Sequence, residues 1–268
     1  RGTSGFAHVS CLAEQAKILV AEAEENNWDS DRFMPRWKRW EKCSLCEQRY
    51  HGVVRCALGW ACWKTYVGRR PETDRVHGMA MNLLGLGLSE AGHEEDALSV
   101  KEAELSTARR VGASEDSILV AQSNLATSYH QLGRLEETNR MLGDVYSGYC
   151  RLLGEDGETS LALAYNYANS FSELRRFEEA KALLRKTLPV ARRVLGESHE
   201  LTLRMRRIYA DALYLDDAVT LDDLREAVTT LEDAGRTARR VLGGAHPTAA
   251  GMEKSLRAVR AAIRAHSA

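Results

Sequence analysis

The chain has 268 residues, of which 44% are hydrophobic and 28% charged, and its formal net charge is −1. This composition is typical of a globular protein with a sizeable core, organised in one or two domains. The near-neutral charge and the lack of any run of 18 apolar residues exclude a general affinity for nucleic acid and predict no membrane span.

The N-terminal part of the chain is rich in cysteine. All but one of the six cysteines fall within residues 11–62, close to His8 and His51. This clustering favours metal binding in a reducing, cytoplasmic compartment over a disulfide scaffold. The first residue is not Met and no signal-peptide pattern follows it, so we expect the chain to begin within a longer protein.

Two short pairs of zinc-ligand residues flank a helix predicted over residues 12–27. His8 and Cys11 have HxxC spacing, and Cys43 and Cys46 have CxxC spacing. Each pair offers two of the four ligands that a tetrahedral zinc ion requires. The sequence therefore predicts zinc as a cofactor of this segment.

The sequences GFAHVSCL and CSLCEQRY resemble the third and fourth ligand pairs of a RING-CH (RING-variant) zinc finger. The resemblance implies a partial finger over residues 1–56, in which His8 and Cys11 bind one zinc and Cys43 and Cys46 bind another. It also implies a ubiquitin-conjugating enzyme as a partner. Gln15 replaces the tryptophan that usually helps to hold that enzyme, so the resemblance favours the fold over ligase activity.

Two alternatives to the RING-CH finger remain open. Cys43, Cys46, His51 and Cys56 have the spacing of a zinc knuckle, although Glu47 and Tyr50 stand where a knuckle needs glycines. Without metal, the cysteines would act as small buried hydrophobic residues.

Residues 57–75 are predicted to be a helical linker. The stretch CALGWACWKTYVGR, which ends at Arg69, is apolar and contains Trp60 and Trp63, and Pro71 marks its boundary. Because no basic groove accompanies these aromatic residues, they indicate packing rather than stacking on nucleic acid.

A pattern then returns about every 42 residues. Gly112, Gly154 and Gly196 recur at that interval, and Gly243 follows 47 residues later, after a five-residue insertion. Each unit has a small residue, a bulky apolar residue three positions later and a second small residue further on. Such self-similarity predicts stacked pairs of antiparallel helices. The first small residues are Gly85, Ala126, Ala168 and Ala210, the bulky ones are Leu88, Tyr129, Phe171 and Leu213, and the second small ones are Ala97, Thr138, Ala180 and Ala227.

Charges follow the same period. Acid pairs open each second helix and arginine pairs close it before a glycine, which suits the helix dipole and a left-handed cap. We therefore interpret these charges as structural. The acid pairs are Glu94–Glu95, Glu136–Glu137 and Glu178–Glu179, and the arginine pairs are Arg109–Arg110, Arg192–Arg193 and Arg239–Arg240.

The units resemble tetratricopeptide repeats of the kinesin light chain type, in which Leu-Gly ends a helix and His-Pro or its remnant follows. Here the motif reads LGESHE from Leu195 and LGGAHP from Leu242. The resemblance implies an all-α superhelix over residues 76–250, with residues 251–268 as a C-terminal capping helix. It also implies a binding role, since such repeats host many partners.

Polar residues on the predicted inner helices are candidates for a peptide-binding groove. Asparagine can donate to and accept from an extended peptide backbone, and kinesin light chain-like repeats use inner-helix asparagines in this way. Arginines would add a preference for acidic peptides. The candidates are Asn124, Thr127, His130, Asn166, Asn169, Arg204 and Arg207. The alternative is a merely solvated polar face.

No catalytic motif is present in the sequence, since it contains no phosphate loop, nucleophile elbow or HExxH. We therefore predict a protein-interaction scaffold, whose role in a RING-CH ubiquitin ligase would be the recruitment of substrate. The alternative is a non-enzymatic, cargo-adaptor-like protein in which the zinc finger is purely structural.

Overall fold

The computed structural model describes residues 8–69 and 75–266. Within those ranges the structure is helical, and its one β interaction is an isolated bridge between Lys42 and Arg49. None of the helices in these ranges is long and apolar enough to cross a membrane. The helices are α1 (Val9–Glu25), α2 (Ser30–Trp37), a short 3-10 helix (Lys38–Trp40), α3 (Gly52–Tyr66), α4 (Arg75–Glu90), α5 (Glu94–Arg110), α6 (Glu115–Gln131), α7 (Leu135–Leu153), α8 (Glu158–Glu173), α9 (Phe177–Val194), α10 (Glu200–Tyr214), α11 (Leu221–Leu242) and α12 (Pro247–His266).

The chain divides into two compact units, Arg1–Gly133 and Arg134–Ala268. The N-terminal helices of unit 1 surround an aromatic core. The Trp37 and Tyr66 rings lie 5.7 Å apart, and the Trp40 ring meets Tyr66 edge-on at 6.1 Å. Ala16 and Val20 of α1 complete this core, and all five side chains are almost fully buried.

Helix α3 packs against both α1 and α4. Two glycines allow the close approach of α3 and α4. A Cβ on Gly59 would lie 3.0 Å from the Cα of Leu84, and a Cβ on Gly87 would lie 2.9 Å from the carbonyl oxygen of Arg55. The segment predicted to be a linker is therefore, from residue 57 to Tyr66, part of a helix that packs tightly on the first repeat.

The two tryptophans of α3 have different environments. Trp63 is partly buried and meets the imidazole of His77 edge-on at 5.1 Å, as the predicted packing role requires. Trp60 is 43% exposed, so the prediction of packing is wrong for this side chain within the described residues. Residues three apart in a helix lie about 60° apart around its axis, so Trp63 lies at the edge of the buried face of α3 and Trp60 lies beyond it.

The repeat pattern corresponds to the helix pairs predicted from it. In unit 1, α5 packs on α4 and α6, and in unit 2 each helix from α7 to α12 packs on the next. All eight small residues of the repeat are buried, which confirms their role in close helix contact. Among the bulky residues, only Tyr129 remains partly exposed.

The charges at the helix ends follow the prediction. The acid pairs lie in the first turns of α5, α7 and α9, and the arginine pairs lie in the last turns of α5, α9 and α11. Gly112, Gly154, Gly196 and Gly243 follow the helices with φ between 66° and 95°, a region that L side chains rarely adopt. At Gly154 and Gly243, however, ψ is 161° and 153°, so the predicted left-handed helical cap is wrong for these two glycines.

The five-residue insertion forms a short loop between α10 and α11. Lys181 of α9, whose side chain is only 6% exposed, donates to Asp216 at 2.9 Å and so anchors the loop. Thr220 then starts α11 with a capping box, in which Thr220 and Asp223 each accept from the other's backbone N–H. The insertion therefore lengthens the turn without disturbing the packing of α10 on α11.

Overpacking at a small repeat position should destabilise unit 2. Ala168 is fully buried, so Ala168→Trp must displace the neighbouring helices, at a cost of about 3 kcal/mol or more. Ala162→Trp, at a half-buried position on the same helix, is the matched control and should cost much less. The free energy of unfolding in urea checks both variants, and equal losses would contradict the assignment of the buried face.

Candidate functional site

The first helices of the repeats in unit 2 lie side by side, because α10 contacts both α8 and α12. Their solvent-facing residues form a surface that we call the inner face. On α8 it includes Tyr165 and Asn169, which are half-buried, and Asn166, which is exposed. On α10 it includes the exposed Arg204.

Arg204 is fixed on this face by an aromatic ring of the neighbouring helix. Its guanidinium carbon lies 4.4 Å from the centroid of the Tyr165 ring, and its Nη2 donates to the Tyr165 hydroxyl at 2.8 Å. A cation–π contact and a hydrogen bond together hold the planar cation in one orientation while it remains open to solvent. This arrangement suits the recognition of a carboxylate.

Two of the three predicted asparagines, Asn166 and Asn169, are on α8 and differ in availability. Asn166 is exposed and follows Tyr165 directly in the sequence. The Asn169 side chain donates to Glu173 Oε1 at 2.8 Å, so one of its amide hydrogens is already engaged. Asn166 is therefore the better placed of the two to pair with a peptide backbone.

Arg207 points toward α12 rather than lying beside Arg204. Its side chain is 32% exposed, and its Nε lies 3.9 Å from an oxygen of Asp211. A Cβ at Gly251 would overlap its Nη1, so the glycine makes room for the guanidinium. The structure thus engages Arg207 in the packing of α10 on α12.

The remaining groove candidates lie on α6 in unit 1. Asn124 is half-buried, whereas Thr127 and His130 are exposed. The Thr127 hydroxyl donates to the Ser123 carbonyl at 3.1 Å, a local bond that leaves its oxygen free to accept.

The cysteine pair Cys43–Cys46 occupies a tight turn between the 3-10 helix and α3. The Leu45 N–H donates to Cys43 Sγ at 3.4 Å, and the Glu47 N–H donates to the Cys43 carbonyl at 3.1 Å. Glu47 has φ 57°, which closes the turn. The backbone N–H groups of Cys46 and Leu45 lower the pKa of the Cys43 thiol.

This turn fits half of a zinc site, since it presents two thiols at short spacing and stabilises thiolate. His8 and Cys11 are both exposed at the start of α1. Residues 8–69 and 75–266 contain no group of three or more His, Cys, Asp or Glu side chains arranged to hold a metal. The described residues therefore provide pairs of ligands rather than a complete site.

The alternative knuckle is not assembled in the structure. Cys56 lies in α3 and packs against the buried cluster of Leu84 and Leu88, where desolvation raises the pKa of its thiol. His51 lies 3.9 Å from a carboxylate oxygen of Glu90. Neither side chain joins the cysteine turn.

One residue of the inner face was missed in the sequence. Tyr165 precedes Asn169 by four residues, a spacing that places both on one side of α8. The cross-helix contact with Arg204, 39 residues away, needed the structure.

Helix pairs that stack in this way define a helical-repeat protein. The tetratricopeptide repeat family profile matches residues 118–157 and 160–200, so the chain contains tetratricopeptide repeats. The matched residues lie outside the cysteine pairs, and the RING-CH resemblance gains no support from them. A comparison with curated proteins found no match.

Two solved structures illustrate the likeness of fold. A kinesin light chain-type protein of Podosopora anserina with nearly identical TPR-like repeats, also solved as a single-residue variant, is 16% identical, with a TM-score of 0.61 over 88% of this chain and 98% of that one. A Rap protein complexed with competence and sporulation factor is 13% identical, with a TM-score of 0.53 over 94% of this chain and 65% of that one.

Proposed function

We propose that the chain is a protein-interaction scaffold and that the inner face of unit 2 binds an extended acidic peptide segment of a partner. The observation that carries the proposal is the exposed guanidinium of Arg204, held flat on Tyr165. Tetratricopeptide repeats expose the surfaces of their stacked helices to partners, which supports this role. The Rap protein that shares the fold was solved with a bound factor, which is consistent with it.

The chemistry of the face supports a peptide more than a small molecule. Asn166 offers both a donor and an acceptor for a peptide bond, whereas Arg204 offers parallel N–H donors for a carboxylate. Asn124 and Thr127 are the corresponding polar residues on α6. We propose that they bind peptide backbone in the same manner.

Selection of a peptide library on the full chain tests this function. We expect acidic peptides to be enriched, and Arg204→Ala should weaken their binding by about tenfold or more, because a charged hydrogen bond contributes about 1.5–3 kcal/mol. Asn166→Ala should weaken binding by about threefold to tenfold without changing the melting temperature. Arg193→Ala, an exposed arginine on α9, is the control. Peptides that bind all three variants equally would refute the proposal.

We also propose that Cys43 and Cys46 bind zinc as one ligand pair of a RING-CH-like finger, with His8 and Cys11 as ligands of a second zinc. The turn geometry at Cys43 supports the first pair. Bound zinc would cross-link the turn and stabilise the segment before α3. Ubiquitin-ligase activity is the further hypothesis that the resemblance implies, and it requires a ubiquitin-conjugating enzyme to bind this segment.

Titration of the full chain with Co²⁺ tests the ligand pair. We expect an absorption band from thiolate ligands that Cys43→Ser weakens and Cys150→Ser, in unit 2, leaves unchanged. If Cys56→Ser abolishes the band, the knuckle is the correct site instead. A discharge assay with loaded ubiquitin-conjugating enzymes then tests the ligase hypothesis, and a scaffold without ligase function predicts no acceleration.

A further inference from the structure

A groove with arginines along both sides runs between α11 and α12. It encloses about 340 Å³, and Met252 and Leu256 of α12 are among the apolar side chains that line it. Arginines from both helices surround it: Arg236 and Arg239 from α11, and Arg257 and Arg260 from α12.

The two glutamates of the groove leave the arginines in excess. Arg260 Nη2 lies 2.7 Å from Glu232, and Arg257 Nη1 lies 3.9 Å from Glu253. Arg239 has no carboxylate partner among residues 8–69 and 75–266. Arg236 Nη2 lies 3.5 Å from Asp233, but the exposed fractions of the Arg236 and Arg257 side chains are 70% and 71%, so both remain accessible to a partner.

The packing of α11 on α10, in the same unit, indicates what kind of helix fits a surface of this chemistry. Helix α11 packs on α10, and it brings carboxylates to the polar groups there. Asp233 of α11 accepts from Arg206 at 2.6 Å, and Glu226 of α11 accepts from the Tyr209 hydroxyl at 2.8 Å. An acidic amphipathic helix therefore already fits this kind of surface within the protein.

Comparison of α10 with α12 defines the chemistry of the groove. His199 and His246 begin these helices in the same way, each accepting from the backbone N–H two residues later at 3.3 Å. These two histidines are 47 residues apart. At the same spacing, the buried Ala210 and Leu213 of α10 correspond to Arg257 and Arg260 of α12. Where α10 offers an apolar surface, α12 thus offers a basic one.

We propose that the groove between α11 and α12 is a second docking site, which binds an acidic amphipathic helix of a partner protein. The apolar stripe of the helix packs on the half-buried Leu256, and its carboxylates pair with Arg236, Arg239 and Arg257. The groove uses none of the α8 and α10 residues that we propose bind an extended segment.

A peptide with the sequence of residues 220–235 is the probe, because it holds the acidic part of α11, with five acids and one arginine. Its binding to the full chain is measured by fluorescence anisotropy after labelling. The control peptide carries Asn and Gln in place of the acids. We expect the acidic peptide to bind at least about tenfold more tightly and to weaken as salt rises from about 0.05 to about 0.2 M, as expected for screened charges.

Protein variants locate the binding surface. Arg236→Gln combined with Arg257→Gln should weaken the acidic peptide about tenfold, whereas Arg193→Gln and the inner-face variant Arg204→Gln should bind as the unchanged chain does. Equal binding of both peptides, or no loss in the double variant, would overturn the proposal. Sedimentation that reveals a dimer dissociated by the double variant would overturn it in favour of a second copy as the occupant.

Discussion

Gly87→Ala should lower the free energy of unfolding of unit 1 by about 2 kcal/mol. The added Cβ would lie 2.9 Å from both the carbonyl oxygen of Arg55 and the Cα of Cys56, which are backbone atoms and cannot rotate away. Helices α3 and α4 must therefore separate. Overpacking of this kind costs about 1–3 kcal/mol, and the higher helix propensity of alanine offsets up to about 1 kcal/mol of it.

Gly78→Ala is the matched control, because it makes the same change in the same helix. Nothing lies within 4 Å of a Cβ at this position. Only the higher helix propensity of alanine then acts, so the free energy of unfolding of Gly78→Ala should rise by up to about 1 kcal/mol. Urea unfolding followed by circular dichroism measures both variants, and changes of the same sign would show that α3 and α4 do not pack as described.

Glu104→Gln should stabilise the chain above pH 7 by up to about 3 kcal/mol. The Glu104 side chain is buried in α5, and its Oε2 finds no hydrogen-bond partner among the described residues. Desolvation raises the pKa of its carboxyl to about 7 from an ordinary value of 4.5, against the opposing effects of the Asn82 hydrogen bond and of Lys101. A neutral isostere avoids burying the charge.

The stability gained by Glu104→Gln should increase as pH rises. The folded protein retains the Glu104 proton between about pH 4.5 and 7, whereas the unfolded chain releases it. Retention of this proton therefore contributes fully to the stability of the folded state below pH 4.5, and the contribution is lost as pH rises through 7. The advantage of Glu104→Gln should grow over the same window.

Glu102→Gln is the control for that measurement. Glu102 lies on the exposed side of α5, where it accepts from the Tyr129 hydroxyl at 3.1 Å, a bond that an amide oxygen can keep. Because this variant retains Glu104, it should lose stability between about pH 4.5 and 7 as the unchanged chain does. A similar pH dependence in both variants would mean that Glu104 is ionised in the folded state like a surface residue.

The repeat architecture was predictable because it rests on local rules. Small residues such as Ala168 and Ala210 recur at fixed positions, and each marks a place where two helices approach closely. Acid pairs, arginine pairs and the glycines with positive φ follow from helix electrostatics and capping. Information of this kind lies within one repeat and needs no knowledge of the partner helix.

Contacts that depend on neighbouring helices were not predictable in the same way. Position 101 corresponds to Leu184 in the pattern, yet it holds a buried lysine, whose Nζ donates to Ser89 at 3.0 Å and Ser128 at 2.7 Å. The contact between Tyr165 and Arg204 depends on a residue of a second helix. The orientation of Arg207 toward Gly251 does so as well. The two ligand pairs of the predicted finger stay a prediction, because the described residues do not assemble a full ligand set.

The glycine contact between α3 and α4 has a consequence for synthesis on the ribosome. Helix α3 ends at Tyr66, and α4 is complete only at Glu90, so the surface around Gly59 emerges before the helix that covers it. At about 5–20 residues per second, that interval lasts on the order of 1–5 seconds. The contact between α3 and α4 at Gly59 and Gly87 can therefore form only after the whole of α4 has been synthesised.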